Sequence, residues 1–404
     1  MTEALSAEDV GSAADVDFGR APEEVVHPES AEEVAAALER ASARGLGVLP
    51  VASGRRVRVR ALDRPYIVLR TDRLIGIEMH EPADLTLTAR AGTSLAELGE
   101  RLGAHRQWLP FDPPHVGERS LGGLVASGES GPAWMGYGEL RNHVLGMTVV
   151  TGDGRILRLG GRVVKNVAGF DLLKPMVGSG GRLAVITSVC VRTFPVPAED
   201  RLLVLRAANA RELTDVARAV GTAPVLPASS VIVSPARALD SGAALLVRLH
   251  GALPTVVADQ RTLERHCAVT FERPANAPAL LAEARDAVSA GPYFVVSVLP
   301  SRLAEAMAAI ADTLRDMGGG AELAADTYMA HIRVAVATTT AAVASSLRTR
   351  VERMGGSLSV HGASKATSPD GPTGASAATG VEADLVTGLV RAFDPSGVFW
   401  PCRF

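Results

Sequence analysis

Two runs of small residues near the middle of the chain have the composition of a backbone that binds phosphate. They read Leu121-Gly-Gly-Leu-Val-Ala-Ser-Gly and Gly178-Ser-Gly-Gly. Such runs bind a pyrophosphate when successive backbone N–H groups point at its oxygens and no side chain stands in the way. Taken alone, each run more often forms a tight structural turn. Their order and spacing favour the binding interpretation.

The familiar nucleotide-binding signatures are absent from the sequence. No G-x-G-x-x-G follows an N-terminal strand, and no G-x-x-x-x-G-K-[ST] occurs. A Rossmann domain and a P-loop are therefore not indicated, nor is phosphate binding by the dipole of a helix. Any phosphate is expected to bind to loop backbone instead.

The composition excludes several classes of protein. With 404 residues the chain exceeds what one hydrophobic core usually supports, so we expect two or three domains. The hydrophobic fraction of 47% and the charged fraction of 21% are those of a globular protein. Lysine and arginine number 41 against 44 acidic residues, and this net charge of −3 provides no basic field. Nucleic acid is therefore not expected as a partner.

The cysteines and the N-terminal residues indicate a compartment. Cys190, Cys267 and Cys402 lie far apart and form no C-x-x-C, so neither a disulfide framework nor a zinc or iron–sulfur site is expected. Residues 1–19 lack a basic stretch followed by an apolar one, and no run approaches the roughly 18 apolar residues of a membrane span. We predict a cytoplasmic chain without a membrane span, peripheral to a membrane only through partners.

The elements that would position the glycine-rich runs are helices and strands in mixed order. Ser30, with Glu33 three residues later, predicts a helix that ends near Gly45. Further predictions are strands at 47–51, 66–69 and 85–89 and a helix at 94–102. After Pro197, Ala-rich helices at 210–220, 277–290 and 301–317 alternate with strands at 202–206, 243–250, 293–298 and 331–337. The pattern predicts an α+β fold with a domain boundary near Pro197 and a last helix at 381–393.

Five motifs, taken in order, resemble one flavoprotein family. They are Leu85-Thr-Leu-Thr-Ala-Arg-Ala-Gly, Gln107-Trp-Leu-Pro-Phe-Asp-Pro-Pro, Ser120-Leu-Gly-Gly-Leu-Val-Ala-Ser-Gly, Arg162-Val-Val-Lys-Asn-Val-Ala-Gly-Phe-Asp and Gly178-Ser-Gly-Gly-Arg-Leu-Ala-Val-Ile. The series resembles the FAD-binding domain of the vanillyl-alcohol oxidase and p-cresol methylhydroxylase (PCMH) type. More narrowly, it is similar to the FAD-binding subunits of bacterial glycolate oxidases. The closing Phe393-Asp-Pro-Ser-Gly-Val-Phe-Trp-Pro belongs to the same resemblance.

The resemblance implies a division of the chain. A two-part PCMH-type FAD-binding domain would be followed by an α+β cap domain and by a C-terminal segment that returns to the FAD-binding domain. The parts would be an N-terminal extension (1–19), the FAD-binding domain (20–197), the cap (198–361), a flexible linker (362–380) and the returning segment (381–404). FAD would bind non-covalently, because the first loop contains no His or Cys that could attach the flavin.

The resemblance also implies which residues contact FAD. They are Ser53, Gly54, Arg55, Asp112, Pro113, Gly122, Gly123, Ala126, Ser127, Gly128, Gly178, Gly181 and Ile186. Relatives usually carry two or three glycines where Ser53-Gly-Arg-Arg stands here, and Thr and Gly at the positions of Arg182 and Ala184. Arg55 or Arg56 would compensate by pairing with phosphate charge. Two surface arginines are the alternative interpretation.

For catalysis the sequence provides only isolated candidates. Oxidation of a 2-hydroxy acid through flavin requires a base for the hydroxyl proton, a cation or metal for the carboxylate, and hydride delivery to flavin N5. The catalytic subunits of such oxidases carry a histidine pair and an E-H-G run, which the regions around His331 and His361 do not complete. No metal site is therefore predicted. The catalytic candidates are His115, Lys165 and His331.

Two of these candidates have a structural alternative. His331 at the head of a predicted strand is also typical of a partly buried structural residue. Lys165, one of only three lysines with Lys174 and Lys365, would place a fixed charge near the flavin or on a partner surface. Alternatively, it would form an ion pair with Asp171 that organises a loop.

Together these features predict an FAD-dependent oxidoreductase. In the first hypothesis the chain is the FAD-binding subunit of a glycolate oxidase-like complex that oxidises a small 2-hydroxy acid, with a partner flavoprotein subunit and an iron–sulfur subunit. In the second the chain is a self-sufficient FAD-dependent hydroxy-acid or alcohol oxidase or dehydrogenase. In the third it is a scaffold without FAD. The colour and activity of the purified chain would separate the three.

Overall fold

The computed structural model describes residues 21–52, 64–161, 171–235, 239, 242–286, 288, 293–316, 321–336, 341–361 and 381–399. Several predictions concern residues outside these ranges. They are the predictions for Ser53, Gly54, Arg55 and Lys165, for the N-terminal extension (1–19) and for the linker (362–380).

A small parallel sheet begins the fold. Its strands β1 (Glu24–Val26), β2 (Gly47–Val51) and β3 (Tyr66–Arg70) lie in the order β1-β3-β2, and helix α1 (Ala31–Ala43) packs against them. The predicted cap of α1 is confirmed, since the Ser30 hydroxyl accepts a hydrogen bond from the Glu33 amide at 3.1 Å. Val34 and Leu38 are fully buried, so the apolar stripe of α1 and the sheet share one core.

A five-stranded antiparallel sheet follows, in the order β4-β5-β9-β7-β8. Its strands are β4 (Ile77–Glu81), β5 (Thr86–Arg90), β7 (Val144–Thr151), β8 (Ile156–Gly160) and β9 (Ala184–Arg192). Helices α2 (Leu95–Gly103) and α3 (Leu121–Ser127) share its core, and α4 (Trp134–Tyr137) and α5 (Leu173–Met176) are single turns. The short strands β6 (Gln107–Trp108) and β10 (Phe194–Pro195) pair with each other.

A seven-stranded antiparallel sheet, here called the cap sheet, has the order β11-β13-β12-β15-β16-β14-β17. Its strands are β11 (Glu199–Ala207), β12 (Ser229–Ser234), β13 (Ala243–Gly251), β14 (Tyr293–Ser297), β15 (Ala321–Asp326), β16 (His331–Val336) and β17 (Ser357–His361). Helices α6 (Thr214–Thr222), α7 (Leu253–Cys267), α9 (Leu303–Asp316) and α10 (Ala341–Arg353) cover one face. Helix α8 (Ala277–Asp286) packs on the other face.

The cap differs in detail from the sequence prediction. The helix expected at 210–220 begins only at Thr214, after a 3₁₀ turn, and the helix expected at 277–290 ends at Asp286. Helix α7 was not predicted because it buries few apolar side chains, chiefly Val256 and Leu263, so its apolar period is weak.

The segment after the cap contacts both earlier sheets. Helix α11 (Val381–Phe393) places Phe393 in the core of the five-stranded sheet. Val398 and Phe399 join the core of the parallel sheet, where the Val48 amide donates to the Val398 carbonyl at 2.8 Å. The Asp394 carboxylate holds this turn by accepting the Val398 and Phe399 amides at 2.8 and 2.9 Å. The numerical domain boundaries stay a prediction.

None of the helices in the described ranges combines the length and the apolarity needed to cross a bilayer.

Candidate functional site

Helix α3 lies where the predicted FAD-binding segments meet. Its N-terminal turn is pressed against the ends of two strands: a Cβ on Gly123 would lie 3.3 Å from the Ala52 Cβ, and one on Gly122 would lie 2.5 Å from the Ala91 Cβ. Only glycine permits this approach at Gly122. Since Ala52 leads directly into the first predicted loop, that loop starts beside α3.

The second glycine-rich run wraps the other end of α3. Gly128 and Gly178 both have positive φ, 64° and 83°, and a Cβ on Gly128 would lie 2.8 Å from the Gly178 Cα. The Gly178 and Gly180 amides donate to carbonyls of α3, those of Val125 and Ala126, at 2.9 and 2.8 Å. The two glycine runs therefore contact each other directly through their backbones. A side chain at Gly128 would push the two runs apart.

Three amides of the Gly122–Gly128 segment have hydrogen-bond acceptors within the protein. Residues 121–127 form a helix, and its amides do not form an open row of donors. The Gly122 amide donates to the Ala91 carbonyl at 2.7 Å, the Gly123 amide to the Ser120 hydroxyl at 3.2 Å, and the Gly128 amide to the Leu124 carbonyl at 3.0 Å. These glycines allow close approach of backbone, and their predicted contact with FAD stays a prediction.

The other predicted contact residues fall into two groups. The Ser127 hydroxyl is engaged within the protein, accepting from Arg119 at 3.0 Å and donating to the Leu124 carbonyl. Ile186 is 6% exposed in the core of the five-stranded sheet, so any contact with a cofactor would use its backbone. Asp112 and Pro113 instead lie in a loop that faces the cap.

The cap sheet presents a polar face to this loop. Side chains point to alternate faces of a sheet along each strand. Leu246, Val231 and Ala324 pack on the same side as α8, so every second residue counted from each of them lies on that face, away from α6, α7, α9 and α10. At one end of the sheet that face is polar. It carries Asp200, Ser229, Arg248, His250, Asp326, His331 and Arg333. We call these residues the polar end of the cap sheet.

Helix α4 docks against this polar end. The Gly136 amide donates to the Ala228 carbonyl at 3.2 Å, and a Cβ on Gly136 would lie 2.7 Å from the Ala228 Cα. The rings of Trp134 and His331 meet edge to face at 6.3 Å. One predicted catalytic candidate, His331, is therefore in contact with the FAD-binding half of the molecule.

The second candidate, His115, reaches the same junction through its backbone. Its amide donates to the Asp286 carboxylate at 2.8 Å, at the end of α8. Asp286 also binds the Arg285 guanidinium through both oxygens, at 3.0 and 2.8 Å. Arg333 of β16 donates to the Arg285 carbonyl at 2.6 Å. The contacts of His115 thus lead to Arg333, which lies two residues from His331 on the same strand.

Two carboxyl groups at the junction have unusual proton affinity. Burial raises the pKa of Asp326 to about 7, and the negative charge of Asp112 adds to that rise. Burial also raises the pKa of Asp112, whose carboxylate accepts the Ala133 amide at 3.0 Å. Asp326 lies directly across from His331 in the β15–β16 register, and burial lowers the pKa of His331. Near neutral pH the junction therefore holds a neutral imidazole and a carboxyl that exchanges its proton.

A second polar cluster was not predicted. The Tyr137 hydroxyl lies 2.7 Å from His250 Nδ1, and His250 Nε2 lies 3.2 Å from an Asp200 oxygen. The Arg248 guanidinium binds the same carboxylate through two nitrogens, and Trp108 packs edge to face on Tyr137 at 5.3 Å. Its members are distant in sequence, and only the register that pairs Asp200 with His250 brings them together.

Lys165 lies outside the described residues, so neither interpretation of this lysine is tested. Its proposed partner Asp171 accepts the Leu173 amide at 3.2 Å and lies 3.7 Å from Lys174. Across the described ranges no three His, Cys, Asp or Glu side chains are grouped so that they could hold a metal ion.

Comparison with known proteins agrees with this geometry. Residues 22–160 match the family model of an FAD binding domain. Alkyldihydroxyacetonephosphate synthase, solved in two crystal forms, has a similar fold, with a TM-score of 0.70 over 94% of this chain and 76% of that chain at 15% identity. The match to the FAD binding domain covers residues 22–160, and the predicted fold class and FAD as cofactor are confirmed.

Curated relatives match part of the chain. Glycolate oxidase subunit GlcE of Escherichia coli strain K12 is 46% identical over 123 residues, which are 30% of this chain and 35% of the relative. D-lactate dehydrogenase of Archaeoglobus fulgidus is 36% identical over 174 residues, 42% of this chain and 38% of the relative. Glycolate oxidase subunit GlcD of Bacillus subtilis strain 168 is 25% identical over 259 residues, 61% and 55%. The chain thus spans between about a third and just over half of these relatives.

Proposed function

We propose that this chain is an FAD-dependent oxidoreductase that oxidises a small 2-hydroxy acid to the 2-oxo acid. The observation that carries the proposal is the junction between the FAD-binding domain and the cap, where His331 contacts Trp134, the charge of Asp112 acts on Asp326, and His115 donates to Asp286. The relatives named for glycolate oxidase and D-lactate dehydrogenase support this substrate class. FAD is proposed to bind non-covalently.

The groups at the junction match what this oxidation requires. FAD, when bound, supplies the acceptor for the two electrons that leave the substrate as a hydride. His331 is held neutral by burial, which lowers its pKa, and so can accept the hydroxyl proton of the substrate. Arg248, whose positive charge acts on Asp112, supplies a cation for the substrate carboxylate. Asp326 can hold the proton afterwards, because its pKa is raised to about 7.

We further propose that the chain works as the FAD-binding subunit of a glycolate oxidase-like complex, with a partner flavoprotein and an iron–sulfur subunit. The regions around His331 and His361 lack the complete histidine pair and the E-H-G run, which supports a need for a partner. The self-sufficient enzyme remains the second candidate. It is favoured by one observation, that this chain alone supplies His331, Asp326 and Arg248 at the junction.

The test is to purify the chain, measure bound flavin by absorbance, and assay a panel of 2-hydroxy acids with an artificial electron acceptor. The assay is then repeated with the candidate partner subunits added. A yellow chain that is active only with partners supports the complex, and a yellow chain active alone supports the second candidate. A colourless chain that does not take up FAD, or no oxidation of any 2-hydroxy acid under either condition, would refute the proposed function.

A further inference from the structure

The cluster of Asp200, His250 and Tyr137 has the connectivity of a proton relay. His250 Nε2 lies 3.2 Å from the Asp200 carboxylate, and His250 Nδ1 lies 2.7 Å from the Tyr137 hydroxyl. The Arg248 guanidinium and the His250 imidazole keep the pKa of Asp200 well below its usual range, so this carboxylate is ionised and can only accept a proton. His250 must then donate through Nε2–H, and its Nδ1 lone pair accepts the Tyr137 hydroxyl proton.

The relay spans two parts of the molecule and is exposed at its Asp200 end. The Asp200 side chain is 42% exposed, whereas that of His250 is only 7% exposed. Tyr137 is half-buried, with its ring against Trp108 at 5.3 Å and Phe194 at 5.2 Å, and burial raises its pKa. Asp200 and His250 belong to the cap sheet and Tyr137 to α4, so the relay exists only when the two parts are docked.

The surroundings of Tyr137 are poor in charge. The charged groups that act on it are Arg248 and Asp200, and Trp108 and Phe194 contribute apolar rings. The indole N–H of Trp108 is buried without an acceptor in the described part of the chain, so one donor beside Tyr137 is available to a ligand oxygen. Arg248 lies 5.9 Å from the Trp108 ring and also acts on Asp112 at the junction. The same cation therefore acts on both the relay and Asp112 at the junction.

We propose that Asp200, His250 and Tyr137 form a proton relay in which His250 takes up the hydroxyl proton of the substrate through Tyr137 and Asp200 stabilises the charge that results. The proposal rests on the proposed function and adds a second proton acceptor to the junction beside His331. The hydroxyl proton of the 2-hydroxy acid passes to the Tyr137 oxygen while the Tyr137 proton passes to His250 Nδ1. The electron pair left on the oxygen would form the C=O bond of the 2-oxo acid, while the C2–H bond would break with its electron pair leaving as a hydride that bound FAD would accept. The resulting imidazolium is stabilised by Asp200, as in other relays of this order.

The first experiment tests the hydrogen bonds of the relay by NMR and does not require catalytic activity. The chain is labelled with ¹⁵N in histidine, and the ring nitrogens of His250 are assigned with the His250→Gln variant. The relay requires Nε2 to be protonated and Nδ1 to be an acceptor at neutral pH. Tyr137→Phe should shift the Nδ1 resonance, and Asp200→Asn should abolish the single tautomer. His266→Gln, at an exposed position of α7, is the matched control. An Nδ1-protonated His250, or no response to Tyr137→Phe, overturns the relay.

The second experiment measures flavin reduction by the 2-hydroxy acid, with partner subunits present if the chain alone is inactive. Tyr137→Phe should lower kcat by roughly 10²- to 10⁴-fold, the usual contribution of a general base. KM should change little, the solvent deuterium effect on kcat should shrink, and the pH dependence of kcat should change shape. His266→Gln should behave as wild type.

The outcomes separate this proposal from the proposed function. Wild-type turnover with an unaffected Tyr137→Phe variant overturns the relay and leaves the proposed function intact. No turnover by the wild type under any condition refutes the proposed function and, with it, the catalytic role of the relay. The histidine spectrum then still decides whether the hydrogen-bonded chain exists.

Discussion

Gly123 faces Ala52 so closely that a Cβ on the glycine would lie 3.3 Å from the alanine Cβ and 2.9 Å from the Ser120 hydroxyl. A larger side chain at this position must push α3 away from the end of β2, where the first predicted FAD loop begins. Gly123→Val should therefore abolish bound flavin, measured by its absorbance after purification, while circular dichroism shows most secondary structure retained.

Gly99 provides the matched control. It is also a glycine within a helix, α2, but a Cβ there would meet nothing within 4 Å. Gly99→Val should leave flavin binding unchanged, because valine and glycine differ little in helix propensity. Stoichiometric FAD in Gly123→Val would contradict the assignment of α3 to the cofactor site.

The returning segment should stabilise the FAD-binding domain. Phe399 is 4% exposed in the core that also holds Val48 and Leu38. Phe399→Ala should lower the free energy of unfolding by about 3–5 kcal/mol, as for other buried phenylalanines, and removal of residues 395–404 should lower it at least as much. Thermal unfolding measures this, with Leu385→Ala as control because Leu385 is 64% exposed. An unchanged Tm with full FAD occupancy would show that the contact is not stabilising.

Asp326 should make stability depend on pH. Burial raises its pKa to about 7 in the folded chain, from 3.8 as the ordinary value. Between these two pH values the Asp326 carboxyl is ionised in the unfolded chain and still protonated in the folded chain. Its contribution to the free energy of unfolding is therefore largest below about pH 4 and is lost as pH rises through 7. In Asp326→Asn the free energy of unfolding should fall over this pH range by on the order of 2–4 kcal/mol less than in the wild type. Denaturant unfolding between pH 5 and about 8 tests it.

The surface carboxylate of Asp215 on α6 is the control for that experiment, since its side chain is 86% exposed. Asp215→Asn should keep the wild-type slope of stability against pH. A wild-type slope in Asp326→Asn as well would show that Asp326 is not the titrating group.

The isolated chain, loaded with FAD, should not turn over glycolate or lactate with an artificial acceptor. The histidine at 331 lacks the partner histidine that catalytic subunits of such oxidases carry, and loss of one general base commonly costs roughly 10²- to 10⁴-fold in rate. Steady-state assays with and without partner subunits measure this. Robust turnover by the chain alone would favour the self-sufficient enzyme, and His115→Ala and His331→Ala would then show which histidine is needed.

How far the sequence predicts this protein depends on the range of the interaction. Helix α1 could be predicted because Ser30 and Glu33 cap it locally, and strand β2 has the bounds expected from its apolar run. The position of the FAD-binding domain followed from motifs of a few residues each. Each of these signals lies within one short stretch of chain, because helix caps and apolar periodicity depend on residues that are close in sequence.

The polar clusters could not be predicted in the same way. Tyr137, Asp200 and His250 meet because of the β11–β13 register and the docking of α4, which no local pattern records. The close packing of Gly122 against Ala91 could not be predicted either, since a glycine needed for packing has the same appearance in a sequence as one that exposes its amide. His115 and His331 were each predicted as candidates from the sequence. Their contacts at the junction, His115 with Asp286 and His331 with Trp134, are visible only in the structure.

The contacts of Phe393, Val398 and Phe399 also determine the order in which the chain can mature. These residues emerge from the ribosome after every strand of the cap sheet, yet they fill the cores of the two sheets that were synthesised first. Domains generally fold as units during synthesis, so the cap can fold while the FAD-binding domain still lacks part of its interior. The FAD-binding domain consequently completes its two cores only after the whole cap has been synthesised.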